Sequence, residues 1–154
     1  MIPSEYRILD AHEHPDGLEA AIRYVHGKWG RPENLPFYRG AITHYGATLP
    51  RFFLLMRGER TLGCGALIVN DFVSRHDLWP WYACHYIEPE ERGQGLGQLL
   101  LTHAANLARS LGFTRLYLST GHDGYYEKYG WERMEDGWEP SGARTRIYSL
   151  SLLR

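Results

Sequence analysis

Residues 92 to 97 read "RGQGLG", between an apolar run that Pro89 halts and a leucine-rich stretch of helical spacing. Glycine at every second position lets a backbone turn tightly and lie close to a partner. The free N–H groups of a helix start, with the helix dipole behind them, favour negative charge. Arg92 stands at the mouth of the turn and adds a full positive charge. The chemistry this spacing points to is an anion held on backbone amides. Two familiar versions fit poorly. A triphosphate loop needs a Lys and a Ser or Thr after its last glycine, but Gly97 is followed by Gln98 and Leu99. A dinucleotide fingerprint needs a glycine where Gln98 stands and an acid about 20 residues on, where the chain offers Arg115.

Other residues could move protons or hold a cation. His85 lies in the strand-like run "WYACHYIEP", and an imidazole has the intrinsic pKa for a base near neutrality. Asp71 and Asp77, in "NDFVSRHDLWPW", could orient a cationic acceptor or feed a proton chain; both could equally be turn residues bonded to their own backbone. Phe72, Trp79, Trp81 and Tyr82 would make a cation-binding wall beside those acids, or else simply core. Trp138 and Glu139, in "EDGWEPSGART", would close the same pocket from the other side. The near neighbours His12 and His14 are a weak metal signal, and no metal is expected.

These groups need elements to position them. "YRILDA" reads as a first strand, and Leu18, Ala21, Ile22 and Val25 mark a helix at three-and-four spacing. A weaker helix follows in "PENLPFYRGAITHYG", interrupted by Pro36 and closed by Gly46. "RFFLLMRGERTLGCGALIVND" gives two strands around a turn at Arg57 and Gly58, and "WYACHYIEP" a third strong strand. Leu96, Leu99, Leu100, Ala104, Leu107, Ala108 and Leu111 mark the securest helix, which Gly112 ends. Then come the strand "TRLYLST", a short helix in "DGYYEKYG" capped by Asp123 and closed by Gly130, and the strands "WERMEDGWE" and "ARTRIYSLSL". The order describes an α/β (α+β) domain around a mixed sheet.

The bulk composition narrows the partners. A chain of 154 residues, 44% hydrophobic, suits one domain with a real core. Seventeen basic against eighteen acidic residues leave a charge of -1, so neither nucleic acid nor an anionic membrane is an expected partner. The opening residues lack the basic-then-apolar pattern of a signal peptide, and Cys64 and Cys84 look like buried thiols in a reducing compartment. A cytoplasmic protein is expected. The alternating run "RTRIYSLSL", placed at a sheet edge, would pair two copies into a homodimer.

The strand followed by "EPEERGQGLG" and a helix resembles the acetyl-CoA signature of the GNAT superfamily of N-acetyltransferases, with Arg92, Gly95 and Gly97 on its Arg/Gln-x-x-Gly-x-Gly/Ala pattern. A second match lies downstream: "GYYEKYGWE" is similar to the family's "FYEKLGFE", with Tyr126 on the tyrosine and Gly130-Trp131 on the Gly-Phe. The likeness is specific over about residues 81 to 132 and general in the first fifty. It implies one domain over residues 1–154, with a mostly antiparallel sheet of about six or seven strands and about four flanking helices. It implies acetyl-CoA as co-substrate: the turn of Arg92, Gly93, Gln94, Gly95 and Gly97 on the pyrophosphate, the Ile87 backbone on the pantetheine amides, and the His85 N–H on the acetyl oxygen. Tyr126 would be the acid toward sulfur, touching the cofactor, and His85 a candidate base. The acceptor would be a small-molecule amine held near Asp71, Asp77, Trp79 and Trp81. A peptide or protein amine, a non-catalytic acetyl-CoA sensor and a nucleotide-binding domain of another family remain as alternatives.

Overall fold

The computed structural model describes residues 2–153. Seven strands form one sheet in the order β1-β2-β3-β4-β5-β7-β6. They are β1 (Tyr6–Asp10), β2 (Arg51–Arg57), β3 (Arg60–Ile68), β4 (Trp81–Ile87), β5 (Arg115–Thr120), β6 (Glu132–Trp138) and β7 (Arg144–Ser151). The α-helices among the described residues are α1 (Leu18–Trp29), α2 (Leu35–Thr43) and α3 (Leu96–Ser110), joined by short 3₁₀ turns. The β1–β2, β5–β7 and β6–β7 pairs are antiparallel and β4–β5 is parallel, so the sheet is mixed as expected. The expected fourth helix, in "DGYYEKYG", is a single 3₁₀ turn over Tyr126–Tyr129.

Contacts group the chain into two compact units, residues 1–66 with 84–103, and residues 67–83 with 104–154. In the first, every residue from Phe52 to Met56 on β2 is buried, the mark of a strand covered on both faces. Ala21, Ile22 and Val25 give α1 its buried stripe, while Glu19 in its first turn and Lys28 in its last complement the dipole. Pro36 does not interrupt α2. It lies in the first turn, where its missing N–H costs nothing, and the helix ends at His44 before Gly46 is reached.

Strand β4 carries the local irregularity that matters most. Cys84 adopts a left-handed φ of 57°, uncommon for a residue with a side chain. Its carbonyl accepts a hydrogen bond from the Cys64 thiol on β3 at 3.2 Å. Gly63 beside it has a steric purpose: a Cβ there would stand 2.4 Å from the Tyr86 carbonyl oxygen. Neither cysteine is in a disulfide among the described residues; Cys64 is buried and Cys84 half-buried.

In the second unit, Val73, Trp81, Tyr117 and Ile147 form a buried cluster. Gly137 on β6 admits it, because a Cβ there would meet Ile147 and Val73 at 2.7 and 2.8 Å. Asp123 does not cap the turn that follows. It accepts a hydrogen bond from the Tyr148 hydroxyl at 3.3 Å, while Gly130 closes the turn at a φ of 89°. The "RTRIYSLSL" strand, expected at an edge, is interior: β7 lies between β5 and β6, and the edges are β1 and β6. Both sides of β7 are hydrogen-bonded, and its alternation reflects only the difference between the two faces of the sheet, which an interior strand shows as well as an edge strand. The edge at β6 exposes Glu132, Arg133 and Glu135 and carries a register shift between Arg133 and Asp136, features that discourage a further strand.

Candidate active site

Proline 89 ends β4 and opens a 3₁₀ turn over Pro89–Glu91, from which the chain enters the glycine stretch. Gly93 and Gly95 take φ of 83° and 81°, in the left-handed region that glycine reaches without strain. Gly97 lies within the first turn of α3. Among the described residues, no chain acceptor takes the amides of Gly93, Gln94, Gly95, Leu96 or Gly97. The helix ladder begins with the Leu99 amide, which donates to the Gly95 carbonyl at 3.4 Å. Successive free N–H groups around left-handed residues make an anion-binding concavity, and here it opens at a helix N-terminus.

Two acids lie in this turn and would oppose an anion. Both are neutralised. Glu91, only 7% exposed, accepts from Arg57 Nη1 and Nη2 at 2.8 and 2.9 Å, and a second guanidinium, that of Arg60, approaches it at 3.5 Å. The Arg57 fork, opposed by some burial, holds the Glu91 carboxyl below its usual range. Arg60 also binds Glu90. The Gln94 side chain donates back to the Glu91 carbonyl at 3.2 Å, which ties the middle of the turn to its base. Arg92 folds against the strand end: its Nε donates to the Ile87 carbonyl at 2.8 Å and its guanidinium lies 5.3 Å from the Tyr86 ring centroid. Lys28, 5.0 Å from the same ring centroid, binds Glu88 at 2.9 Å. His85 is half-buried on β4 and Ile87 is buried.

The second unit carries the remaining sequence candidates. Tyr126 is 7% exposed and packs its ring near those of Tyr125, Trp131 and Tyr148, at 4.9, 6.2 and 5.9 Å between centroids. Burial, with some help from Tyr125, pushes its hydroxyl up to about 12. The Asp71 carboxylate accepts from the Ser119 hydroxyl at 3.5 Å. Burial raises it to about 7; Ser119 partly opposes that rise and Glu139 adds to it.

The other candidate contacts differ in exposure and in partners. Asp77 is exposed and gripped by the Arg75 fork at 2.9 Å on each oxygen, which lowers its carboxyl. Trp81 is fully buried and its indole N–H donates to the Leu78 carbonyl at 2.6 Å, so it supports the surroundings from the core. Trp79 is 50% exposed, edge-on to Phe113 at 5.4 Å. Ser74 and Trp138 exchange two bonds, Ser74 N–H to the Trp138 carbonyl at 2.9 Å and Trp138 N–H to Ser74 Oγ at 3.1 Å. The structure thus joins the 70–74 segment to the end of β6. Sequence reading missed Glu91 and its arginines, although an acid beside an anion-binding turn signals that a cation must neutralise it. It also missed Ser119, for which no local signal exists. Among the described residues, no group of three or more His, Cys, Asp or Glu is placed to hold a metal.

These features define an α/β domain with a row of backbone amides open at the start of its longest helix. The model of the acetyltransferase (GNAT) domain matches residues 49–133, more than half of the chain, and the chain belongs to the GNAT acetyltransferase family. The acetyl group transferred in this family comes from acetyl-CoA. Among solved structures, the fold is similar to a GNAT family acetyltransferase from Elizabethkingia anophelis with acetyl-CoA bound, at TM-score 0.65 and 15% identity over 97% of this chain and 99% of that one. An N-acetyltransferase from Staphylococcus aureus Mu50 is similar at TM-score 0.72 and 15% identity, over 97% and 100%. N-acetylglutamate synthase from Neisseria gonorrhoeae, complexed with coenzyme A and N-acetyl-glutamate, is similar at TM-score 0.68 and 22% identity, over 99% of this chain but 36% of that one. No curated protein matches the sequence.

Proposed function

We propose that this chain moves the acetyl group of acetyl-CoA onto a primary amine of a small molecule, by direct attack with both substrates bound. The observation that carries the reading is the row of five amides from Gly93 to Gly97, without a chain acceptor among the described residues, beside acids already neutralised by Arg57 and Arg60. Those amides hold the pyrophosphate and the Ile87 backbone pairs with the pantetheine arm. The His85 N–H meets the acetyl oxygen, where negative charge grows during attack.

Tyr126 serves the departing sulfur. Its raised pKa keeps the hydroxyl protonated at every working pH. Complete transfer to a thiolate of pKa ~8.5 runs uphill from there. The hydroxyl therefore acts as a hydrogen-bond donor as charge develops on sulfur, and passes its proton as it is resupplied. On the acceptor side, Asp71 and the exposed rings of Phe72, Trp79 and Trp138 suit a cationic small molecule. Asp77 is held by Arg75, so this reading gives the main contact to Asp71. A cytoplasmic setting, in which Cys64 and Cys84 stay reduced, belongs to the same reading. Among the described residues, no helix is long and apolar enough to cross a membrane.

Calorimetry with acetyl-CoA, followed by thiol release against a panel of small amines, polyamines, amino sugars and peptides, tests the reading. Cofactor binding with release driven by small amines supports it. Release driven only by peptides moves the acceptor to a protein or peptide amine. Binding with no transfer leaves an acetyl-CoA sensor, and heat protection by ATP or NAD in place of acetyl-CoA overturns the cofactor assignment.

A further inference from the structure

The β5–β7 pair separates two titratable groups. Leu118 and Tyr148 are register partners and share one face, and the Tyr126 ring packs against Tyr148 on it. Ser119 and Ile147, the next partners, share the opposite face, and Ser119 holds Asp71 there. Tyr126 and Asp71 therefore stand on opposite faces of the same two strands.

The segment that presents Asp71 is held firmly. Asn70 accepts from the Val73 amide and donates to the Val73 carbonyl, each at 3.0 Å, and Ser74 is tied to Trp138. Between these clamps Phe72 is kept at a φ of 55°, a strained conformation for a residue with a side chain, and more than half exposed. Such strain persists only where the surroundings over-determine it, and it concentrates at functional sites. Asp71 itself has no cationic partner, unlike Asp77, Glu135 and Asp136 in the same unit, each of which binds an arginine. A half-buried carboxylate fixed in place, with no cation among the described residues, is ready for a cation that arrives with a substrate.

We propose that Asp71 takes the proton an acceptor ammonium must lose before it attacks the thioester, on the face of the β5–β7 pair opposite Tyr126. The role rests on the acetyl-transfer reading above and gives that reaction a base distinct from His85. The ammonium loses one proton to the Asp71 carboxylate, which passes it to solvent, and the freed lone pair forms the C–N bond. As the C–S bond breaks, sulfur takes a proton by way of the Tyr126 hydroxyl, and the second N–H proton of the adduct replaces it. One amide, one thiol and one released proton balance the reaction. Acid and base on opposite faces match a nucleophile that arrives from one side and a thiolate that leaves from the other. With Ser119 opposing the rise and Glu139 as the charged neighbour adding to it, the carboxyl near 7 is matched to proton uptake at neutral pH.

The experiment compares wild type, Asp71→Asn and Asp71→Glu on alkylamines and on methoxyamine, which is uncharged at neutral pH. For alkylamines, Asp71→Asn lowers kcat/KM about 10²-fold at pH 7 and removes the acid limb of the profile. The deficit shrinks to a few-fold for methoxyamine and at high pH, where the amine arrives neutral. Asp71→Glu retains a limb, displaced in pH. Unchanged heat protection by acetyl-CoA certifies that each variant is folded. A deficit equal for every amine and pH, or none at all, overturns the role of Asp71 while acetyl transfer stands. A wild type that binds acetyl-CoA but acetylates no amine overturns the acetyl-transfer reading and the role of Asp71 with it.

Discussion

Arg57 on β2 grips Glu91 at the mouth of the glycine turn through two parallel bonds of 2.8 and 2.9 Å, across 34 residues of sequence. A bidentate fork fixes a carboxylate in direction as well as position. The glycine turn is thereby anchored to the interior strands, and Gln94 extends the anchor to the middle of the turn.

Loosening that anchor should weaken cofactor capture and spare chemistry. Glu91→Gln keeps the shape but loses the charge that faces two guanidiniums. The expected result is an acetyl-CoA KM several-fold higher with kcat within about twofold, since removal of uniform binding raises KM alone. Steady-state kinetics with the cofactor varied, checked by calorimetry, reads it out; a fall confined to kcat contradicts the anchoring role.

Tyr126→Phe removes the hydroxyl and keeps the packing against Trp131 and Tyr148. Turnover should fall about 10²-fold, in the range of general acid catalysis, with acetyl-CoA affinity nearly unchanged. Equal losses in turnover and affinity would show the hydroxyl to be a binding contact instead.

The turn glycines should respond according to conformation and not crowding. A Cβ at Gly95 meets nothing within 4 Å, so Gly95→Ala pays only the left-handed strain at a φ of 81°, about 1–2 kcal/mol. Thermal melts should record that modest loss and calorimetry a clear drop in acetyl-CoA affinity. Gly63→Ala faces the Tyr86 carbonyl oxygen at 2.4 Å and should be much less stable. Equal melting temperatures for the two variants would refute the contrast.

Asp71 should leave a signature in stability. Its folded carboxyl, near 7, lies above the ordinary unfolded value of ~3.9. The folded state therefore holds the proton more tightly. Its stabilising effect is complete below the unfolded value and is lost as pH rises through the folded one, by roughly 1.4 kcal/mol per pH unit within that window. Relative to Asp71→Asn, wild type should lose melting temperature between pH 5 and pH 8 and change little above that. Parallel melting curves for the two proteins would deny the raised carboxyl.

Much of this protein is legible in contiguous residues. Pro89 stops a strand wherever it falls, alternate glycines turn a chain within a few residues, and the spacing from Leu96 to Leu111 needs only its own period to become helical. Such signals depend on steric limits and on neighbours three or four positions away, so β4, the amide-rich turn and α3 can be found without a partner strand. Tertiary structure alone decided the rest. Alternation in β7 shows that its two faces differ, but not how many strands flank it, and the order of strands placed it inside. The Arg57 fork on Glu91, the Ser119 contact 48 residues from Asp71 and the burial that raises the Asp71 carboxyl arise between segments far apart in the chain. Hydrogen bonding and desolvation act through space, and a sequence specifies distance in space only after the whole sheet has paired.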